Sequence, residues 1–452
     1  MTAGIPTELG TEKISKLLRR YAIPAIIAMT ASSLYNMVDS IFIGQGVGTF
    51  AIAGLALTFP LMNLGAAFGS LVGVGASTLI SVLLGQKNYD IAERVLGNVV
   101  ILNLIIGVLY TIIILTFLEP ILYFFGASEL TLQYAKDYMQ IILLGNMITH
   151  MYFGLNSVQR SAGFPKQAMV ATIFTVVLNT ILDPIFIYVF GWGIRGAAIA
   201  TIFAQLLALL WIIKLFTNKE QILHFKRGIF HLNKRIVKDT LAIGLSPFLM
   251  NVAACLIIIV VNQSLKKHGG DIAIAAYGII NRIGFVVVMI VMGFNQGMQP
   301  IAGYNYGAKK FDRLWKILFI TMGCATCVST LGFAVAELFP QALAKIFTSD
   351  QTLINHTTAG MRIIFLLFPI IGVQMVISNF FQSIGMAKIS IFLSLTRQMI
   401  FLLPCLLILP RFFGVNGIWM SMPIADFLAC FVSGIMLIYQ IKNFKKHNTY
   451  EV

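Results

Sequence analysis

The chain has 452 residues, 58% of them hydrophobic and only 11% charged, with a formal net charge of +15. A soluble globular protein carries about a quarter charged residues, so this composition excludes a soluble fold. Apolar runs of about 20 residues, enough to cross a hydrocarbon core of roughly 30 Å, recur along nearly the whole length.

The hydropathy pattern predicts an all-α membrane protein with twelve transmembrane helices. In chain order they cover roughly 18–43, 51–82, 92–117, 131–159, 166–190, 194–216, 236–265, 271–303, 312–337, 356–384, 388–412 and 414–441. The first 20 residues are polar and of mixed charge. The first apolar run is too long for a signal-peptide core, so no cleavable signal is expected. An even number of spans puts both termini on one side. With the N-terminus taken as cytoplasmic, inner segments hold 23 Lys and Arg and outer loops hold 5, with Lys136, Arg282, Arg362 and Arg397 inside spans. That bias predicts both termini in the cytoplasm and a multi-pass protein of the inner (cytoplasmic) membrane. It accounts for the basic balance through an anionic leaflet, so no nucleic-acid partner is implied. A monomer in the lipid bilayer is expected.

An offset of about 222 residues superimposes the halves. Ala22-Ile23-Pro24 falls on Leu245-Ser246-Pro247, Val38-Asp39-Ser40 on Val261-Asn262-Gln263, and Gly75 on Gly297. Lys87, Tyr89 and Asp90 meet Lys309, Phe311 and Asp312; Gly163 and Lys166 meet Gly385 and Lys388; Gly193 and Gly196 meet Gly414 and Gly417. Two six-helix copies in the same orientation form a parallel repeat about an axis along the membrane normal. The expected domains are an N-lobe over 1–216, a basic cytoplasmic linker over 217–235 and a C-lobe over 236–452. A cleft between two such pseudo-symmetric lobes suits alternating access; a duplicated scaffold without transport is the plainer alternative.

Taken along the chain, the first chemistry appears in helix one. Pro24, matched by Pro247, removes a backbone hydrogen bond and permits bending. Asp39 lies at lipid depth, where a carboxylate is costly. Gly65-x-x-x-Gly69-x-x-x-Gly73 in helix two reads as close helix packing. In helix five, Asn179 and Asp183 share one face at i,i+4, and Pro184 frees the carbonyl of Thr180. By helical rise Asp39 stands roughly 28 Å, Asp183 roughly 24 Å and Thr201 of helix six roughly 20 Å above the inner edge. All three converge on the outer half of the first lobe. Two carboxylates, an amide and a hydroxyl suit a hard cation, and close carboxylates in low dielectric cannot both stay charged without one. The cluster could therefore take a proton or Na⁺, or simply pin helices together. The second copy has Asn262 for Asp39 and Leu403-Pro404 near the place of Asp183, which argues against pinning.

In the second half, Arg282 has no evident acidic partner and could face the cleft. Arg397 and Asp426 come out at similar depth on adjacent helices, roughly 12 to 14 Å from the inner face; they read as a structural ion pair. Cys324-x-x-Cys327 lies in an apolar span with no His or acid nearby, so all five cysteines read as core thiols. The six His are scattered and no Walker A sequence occurs, so no enzyme is expected. The 35 Phe and 20 Met are compatible with a cavity for varied amphipathic molecules.

The runs Met37-Val38-Asp39 with Gly44-Gln45, Asn179-x-x-x-Asp183-Pro184, and Gly193-x-x-Gly196-Ala197-Ala198 leading to Thr201 resemble those of the MATE (multidrug and toxic compound extrusion) family, in the branch related to the DinF and MepA proteins. The resemblance covers essentially the whole chain. It implies an antiporter that exports amphipathic, cationic organic compounds by alternating access, coupled to H⁺ or Na⁺ and needing no other cofactor. It assigns the coupling site to Asp39, Asn179, Asp183 and Thr201, which would also be the metal ligands if Na⁺ is the ion. Tyr35, Asn36, Asn156 and Arg282 are the substrate-cavity candidates. The NorM-type branch is associated with carboxylates on helices seven, eight and ten; here Asn251, Asn262, Asn281 and Asn379 are the nearest polar residues, which points coupling to the first lobe. The alternative is a lipid-linked oligosaccharide or lipid precursor flippase of the same superfamily, which would want a cationic cavity. An intramembrane transferase would need clustered acids at a membrane face and sizeable loops, and the sequence has neither.

Overall fold

The computed structural model describes residues 7–448 apart from Arg227, and within that range the side chains of Asn36, Met37, Thr49 and 445–448 are not described. Every regular element among the described residues is helical. The spans are α1 (Ile14–Gly46), α2 (Thr49–Gly85), α3 (Tyr89–Thr116), α4 (Glu129–Leu144 with Asn146–Ser161), α5 (Pro165–Pro184) and α6 (Gly193–Phe216). Lys234–Gly307 is continuous in its hydrogen bonding but leaves helical geometry at Gly270 (φ 65°). Its 74 residues would reach roughly 110 Å as one rod, far beyond a bilayer, so it supplies two spans, α7 (234–269) and α8 (271–307). Next come α9 (Phe311–Leu338), α10 (Gln351–Ile364 with Phe368–Ser383), α11 (Ala387–Leu395 running through π-helical Thr396–Leu402 into Leu403–Ile408) and α12 (Pro410–Asn448, kinked at Gly414).

The backbone repeats as the sequence does. Lys87 and Lys309 both take left-handed φ, 59° and 55°, and Gly163 and Gly385 do so at 101° and 79°. Gly48 before α2 matches Gly270 before α8 at the same offset of 222 residues. Side-chain caps fix the entries: Asn88 accepts from Ile91 N, Asn233 from Arg235 N and Ile236 N, and Asp350 from Thr352 N. Two breaks are not visible in hydropathy. α4 bends by 55° at Gly145, and α10 bends by 54° between Ile364 and Phe368. A Cβ on Gly145 would meet Ile202 of α6 at 2.4 Å, so the bend brings α4 onto α6. In α10, Pro369 at the start of the second segment cannot continue a helix from before it.

The lobes meet along reciprocal glycines. A Cβ on Gly85 would stand 2.0 Å from Tyr304 O, and one on Gly307 would stand 2.0 Å from Val82 O. Gly75 lies against the α7 backbone at Thr240, and Gly297 against the α1 backbone at Ala22. Backbones therefore pack directly toward the end of the molecule that holds the start of α1 and the end of α12, where Gln299 of α8 also donates to Thr78 Oγ1 (2.8 Å) of α2. The molecule is closed on that face.

Candidate functional site

α1 belongs to both lobes. Its lower part lies against α8, where a Cβ on Gly293 would meet the Ile26 backbone at 2.7 Å. Its upper part is tied to the N-lobe: Tyr188, in the π-helical turn Ile185–Val189 that follows Pro184, donates to Phe42 O at 3.0 Å. Gly46 at the upper end of α1 fits against Ile187 and Tyr188. This docking of the upper end of α1 on the end of α5 sets Asp39 beside Asp183.

Asp39 is 6% exposed, Asn179 2% and Asp183 fully buried. The carboxyl groups of Asp39 and Asp183 are within hydrogen-bonding reach of one another. Asn179 Nδ2 donates to Asp183 Oδ1 at 2.8 Å, the contact that i,i+4 spacing allows. Asp39 Oδ1 and Asp183 Oδ2 have no hydrogen-bond donor among the described residues. Neither carboxylate has a cation in ion-pair contact there. Thr201 Oγ1 lies 3.0 Å from Tyr35 Oη and donates to Ala197 O at 3.1 Å. Tyr35 sits close to both carboxylates, and so does Tyr138 of α4. Tyr138 was not among the sequence candidates. At about nine residues down from the start of α4 it shares the depth of Thr201, so the same rise arithmetic could have found it.

The remaining candidates are placed as follows. The Asn36 side chain lies outside the described residues. Asn156 is 4% exposed and fully engaged, donating to Ala168 O (3.0 Å) and accepting from Arg160 Nη1 (2.7 Å); it braces the lower part of the N-lobe in this conformation. Arg282 is exposed on α8, with no ion pair among the described residues. Arg397 Nε donates to Asp426 Oδ1 at 2.5 Å, with Asp426 3% exposed. Among the described residues no three of His, Cys, Asp and Glu converge as a metal site. The first-lobe cluster is instead two carboxylates, an amide and hydroxyls. These are hard oxygens with two unpartnered acceptors, a set that can receive a proton or a desolvated alkali cation.

The MatE family model matches residues 24–185 and again 242–407, once in each half. The chain belongs to the MatE family. The multidrug export protein MepA of Staphylococcus haemolyticus is 27% identical over 430 residues, covering 95% of this chain and 94% of its own length. MepA of Staphylococcus aureus strain NCTC 8325 is 27% identical over 437 residues at the same coverage. Among solved structures, a MATE transporter in its bent conformation superimposes with a TM-score of 0.94 at 25% identity, covering 99% of this chain and 100% of the other. An outward-facing multidrug resistance MATE transporter of the MOP superfamily gives 0.92 at 25%, covering 97% and 98%. MATE transporters have twelve helices in two lobes about a central cleft, and this chain has that architecture.

Proposed function

We propose that this MatE-family protein exports amphipathic organic compounds in exchange for H⁺ or Na⁺, with Asp39 and Asp183 as the coupling pair. One observation carries the reading. Two buried carboxyl groups stand within hydrogen-bonding reach, with no cation paired to either among the described residues. Such a pair accepts one positive charge with large gain, because like charges in low dielectric oppose each other. Asn179 and Thr201 add an amide and a hydroxyl; Tyr35 and Tyr138 close the site.

The cycle rests on the dual allegiance of α1. Neutralising the pair removes the repulsion between its carboxylates and so changes how the upper part of α1 seats on α5, while Pro24 lets its lower part stay with α8. Cation entry from the open side thus favours substrate release, and the lobes then rock about the cleft. The lobes divide at the linker 217–235, the termini lie in the cytoplasm and the closed face is cytoplasmic. The names of the MepA relatives support drug export over the flippase alternative.

The test is transport of a cationic dye in proteoliposomes with a proton gradient and a Na⁺ gradient imposed separately. Gradient-driven dye movement is expected with at least one of them. Dye movement that ignores both gradients would refute the coupling.

A further inference from the structure

On the face that carries both termini, a crevice of about 490 Å³ opens where the lobes meet. Its wall is apolar, with Leu79 and Leu83 from α2 and Ile236 from α7. Its rim is polar and comes from both lobes: Gln86, Asn88 and Arg94 from one, Arg235 and Asp239 from the other. Both arginines are exposed. The Arg235 side chain is 92% exposed and reaches only Asp239, at 4.0 Å. Arg94 has no ion pair among the described residues.

The repeat shows what such a crevice holds. The 222-residue offset carries Leu79, Leu83 and Arg94 to Ile301, Asn305 and Lys316, and Ile14 to Ile236. In that second crevice the chain fills the space itself. Leu9 is 1% exposed. Leu9 O accepts from Asn305 Nδ2 (2.9 Å) and Arg313 Nη2 (3.1 Å), Gly10 O from Lys310 Nζ (2.7 Å) and Glu12 O from Arg313 Nη2 (2.6 Å). The filler is an apolar group below a row of oxygen acceptors served by Lys310 and Arg313; Asn88 and Ile91 stand at the matching positions of the first crevice, whose own cations are Arg94 and Arg235. The residue matching Leu9 is His231, and it takes another course: it is exposed, and its carbonyl accepts from Asn98 Nδ2 of α3 at 3.1 Å. The linker therefore straps α3, and among the described residues no segment takes the place of Leu9 in the first crevice.

We infer that the first crevice binds an anionic phospholipid of the adjoining leaflet. The phosphate sits between Arg94 and Arg235 with the amides of Gln86 and Asn88, and an acyl chain follows Leu79, Leu83 and Ile236. Basic pockets between helices at a cytoplasmic membrane surface have this character. The rim sets two arginines against the single acid Asp239, and that net positive charge favours a headgroup of net negative charge over zwitterionic phosphatidylcholine. Because the rim spans both lobes, a bound lipid bridges them and favours the conformation closed on this face.

The experiment uses the full chain in phosphatidylcholine vesicles containing a small fraction of phosphatidylglycerol with a diazirine in its acyl chain. After irradiation the adducts are mapped by peptide mass spectrometry. Labelling is expected on the peptides holding Leu79–Leu83 and Ile236. Excess unlabelled phosphatidylglycerol removes it, while phosphatidylcholine and inorganic phosphate do not. Replacing both arginines (R94Q with R235Q) lowers that labelling by about tenfold while labelling elsewhere is unchanged. Leu79→Trp fills the crevice without altering charge and lowers it equally, which keeps the test intact should the double variant fail to fold. Equal competition by phosphatidylcholine, displacement by inorganic phosphate, or undiminished labelling in Leu79→Trp would overturn the inference.

Discussion

Asp39 and Asp426 are both aspartates buried in a membrane-spanning helix, one in each lobe, with 6% and 3% exposure. Asp426 has an arginine at 2.5 Å, and the serines around that lobe's core satisfy one another: Ser246 with Ser390 (2.7 Å) and Ser394 (3.0 Å), Ser378 with Ser394 (2.8 Å). Asp39 has another acid instead of a base, and an oxygen with no donor among the described residues. The buried acid of the C-lobe is thus paired with a base, whereas the N-lobe leaves a deficit of positive charge at one depth. A duplicated backbone carries both arrangements, so the difference lies in side chains, and it is the basis for proposing the N-lobe as the place where a cation binds.

The comparison can be broken first at the N-lobe. Asp39→Asn removes one of the paired charges and is expected to abolish gradient-driven efflux, a loss of at least about a hundredfold for a pair that acts as a unit. Its melting temperature should stay within a few degrees of the parent, because an amide replaces an unpaired acid. The C-lobe should answer in the opposite sense. Arg397→Gln strands a buried carboxylate and is expected to cost about 3–5 kcal/mol of stability, read as a lowered melting temperature in detergent. Adding Asp426→Leu to it should restore most of that loss without affecting coupling.

The glycine seam should show a smaller effect. Gly307→Val puts a side chain where the Val82 carbonyl stands at 2.0 Å, costing the closed arrangement about 1–3 kcal/mol. Spin labels at exposed Gln86 and Asp312 should then report a longer separation. An unchanged distance would mean the seam does not hold the lobes together. Thr201→Val, which removes the Tyr35 contact, should weaken transport by several-fold, in line with about 1 kcal/mol for one hydrogen bond.

Much of this was legible before any coordinates. Composition and run length gave the spans, and the register of Lys87 with Lys309 and of Gly163 with Gly385 gave the repeat. The i,i+4 spacing of Asn179 and Asp183 gave their contact, and rise per residue put Arg397 level with Asp426. The parts that were not legible depend on tertiary packing. The depth of Tyr138 follows from helical rise, but that it faces the two carboxylates depends on how α4 packs. Asn156 is drawn off to Arg160, one helical turn on, and to Ala168 of α5, a contact that only the packing of α4 on α5 creates. The bend at Gly145 exists because Ile202 approaches there, and a single glycine in an apolar run does not announce that. Glu8–Glu12 looks like an unremarkable polar tail until its carbonyls are seen to serve Asn305, Lys310 and Arg313.

The central claim is that the unpaired carboxyl couple of the N-lobe converts a cation gradient into export. Proteoliposomes holding Asp39→Asn or Asp183→Asn separate the two halves of that statement, because dye exchange at equilibrium and dye movement driven by a gradient can be measured in the same vesicles. Exchange should persist in both variants while the gradient loses its effect. Gradient-driven accumulation at the parental level in either variant would contradict the account.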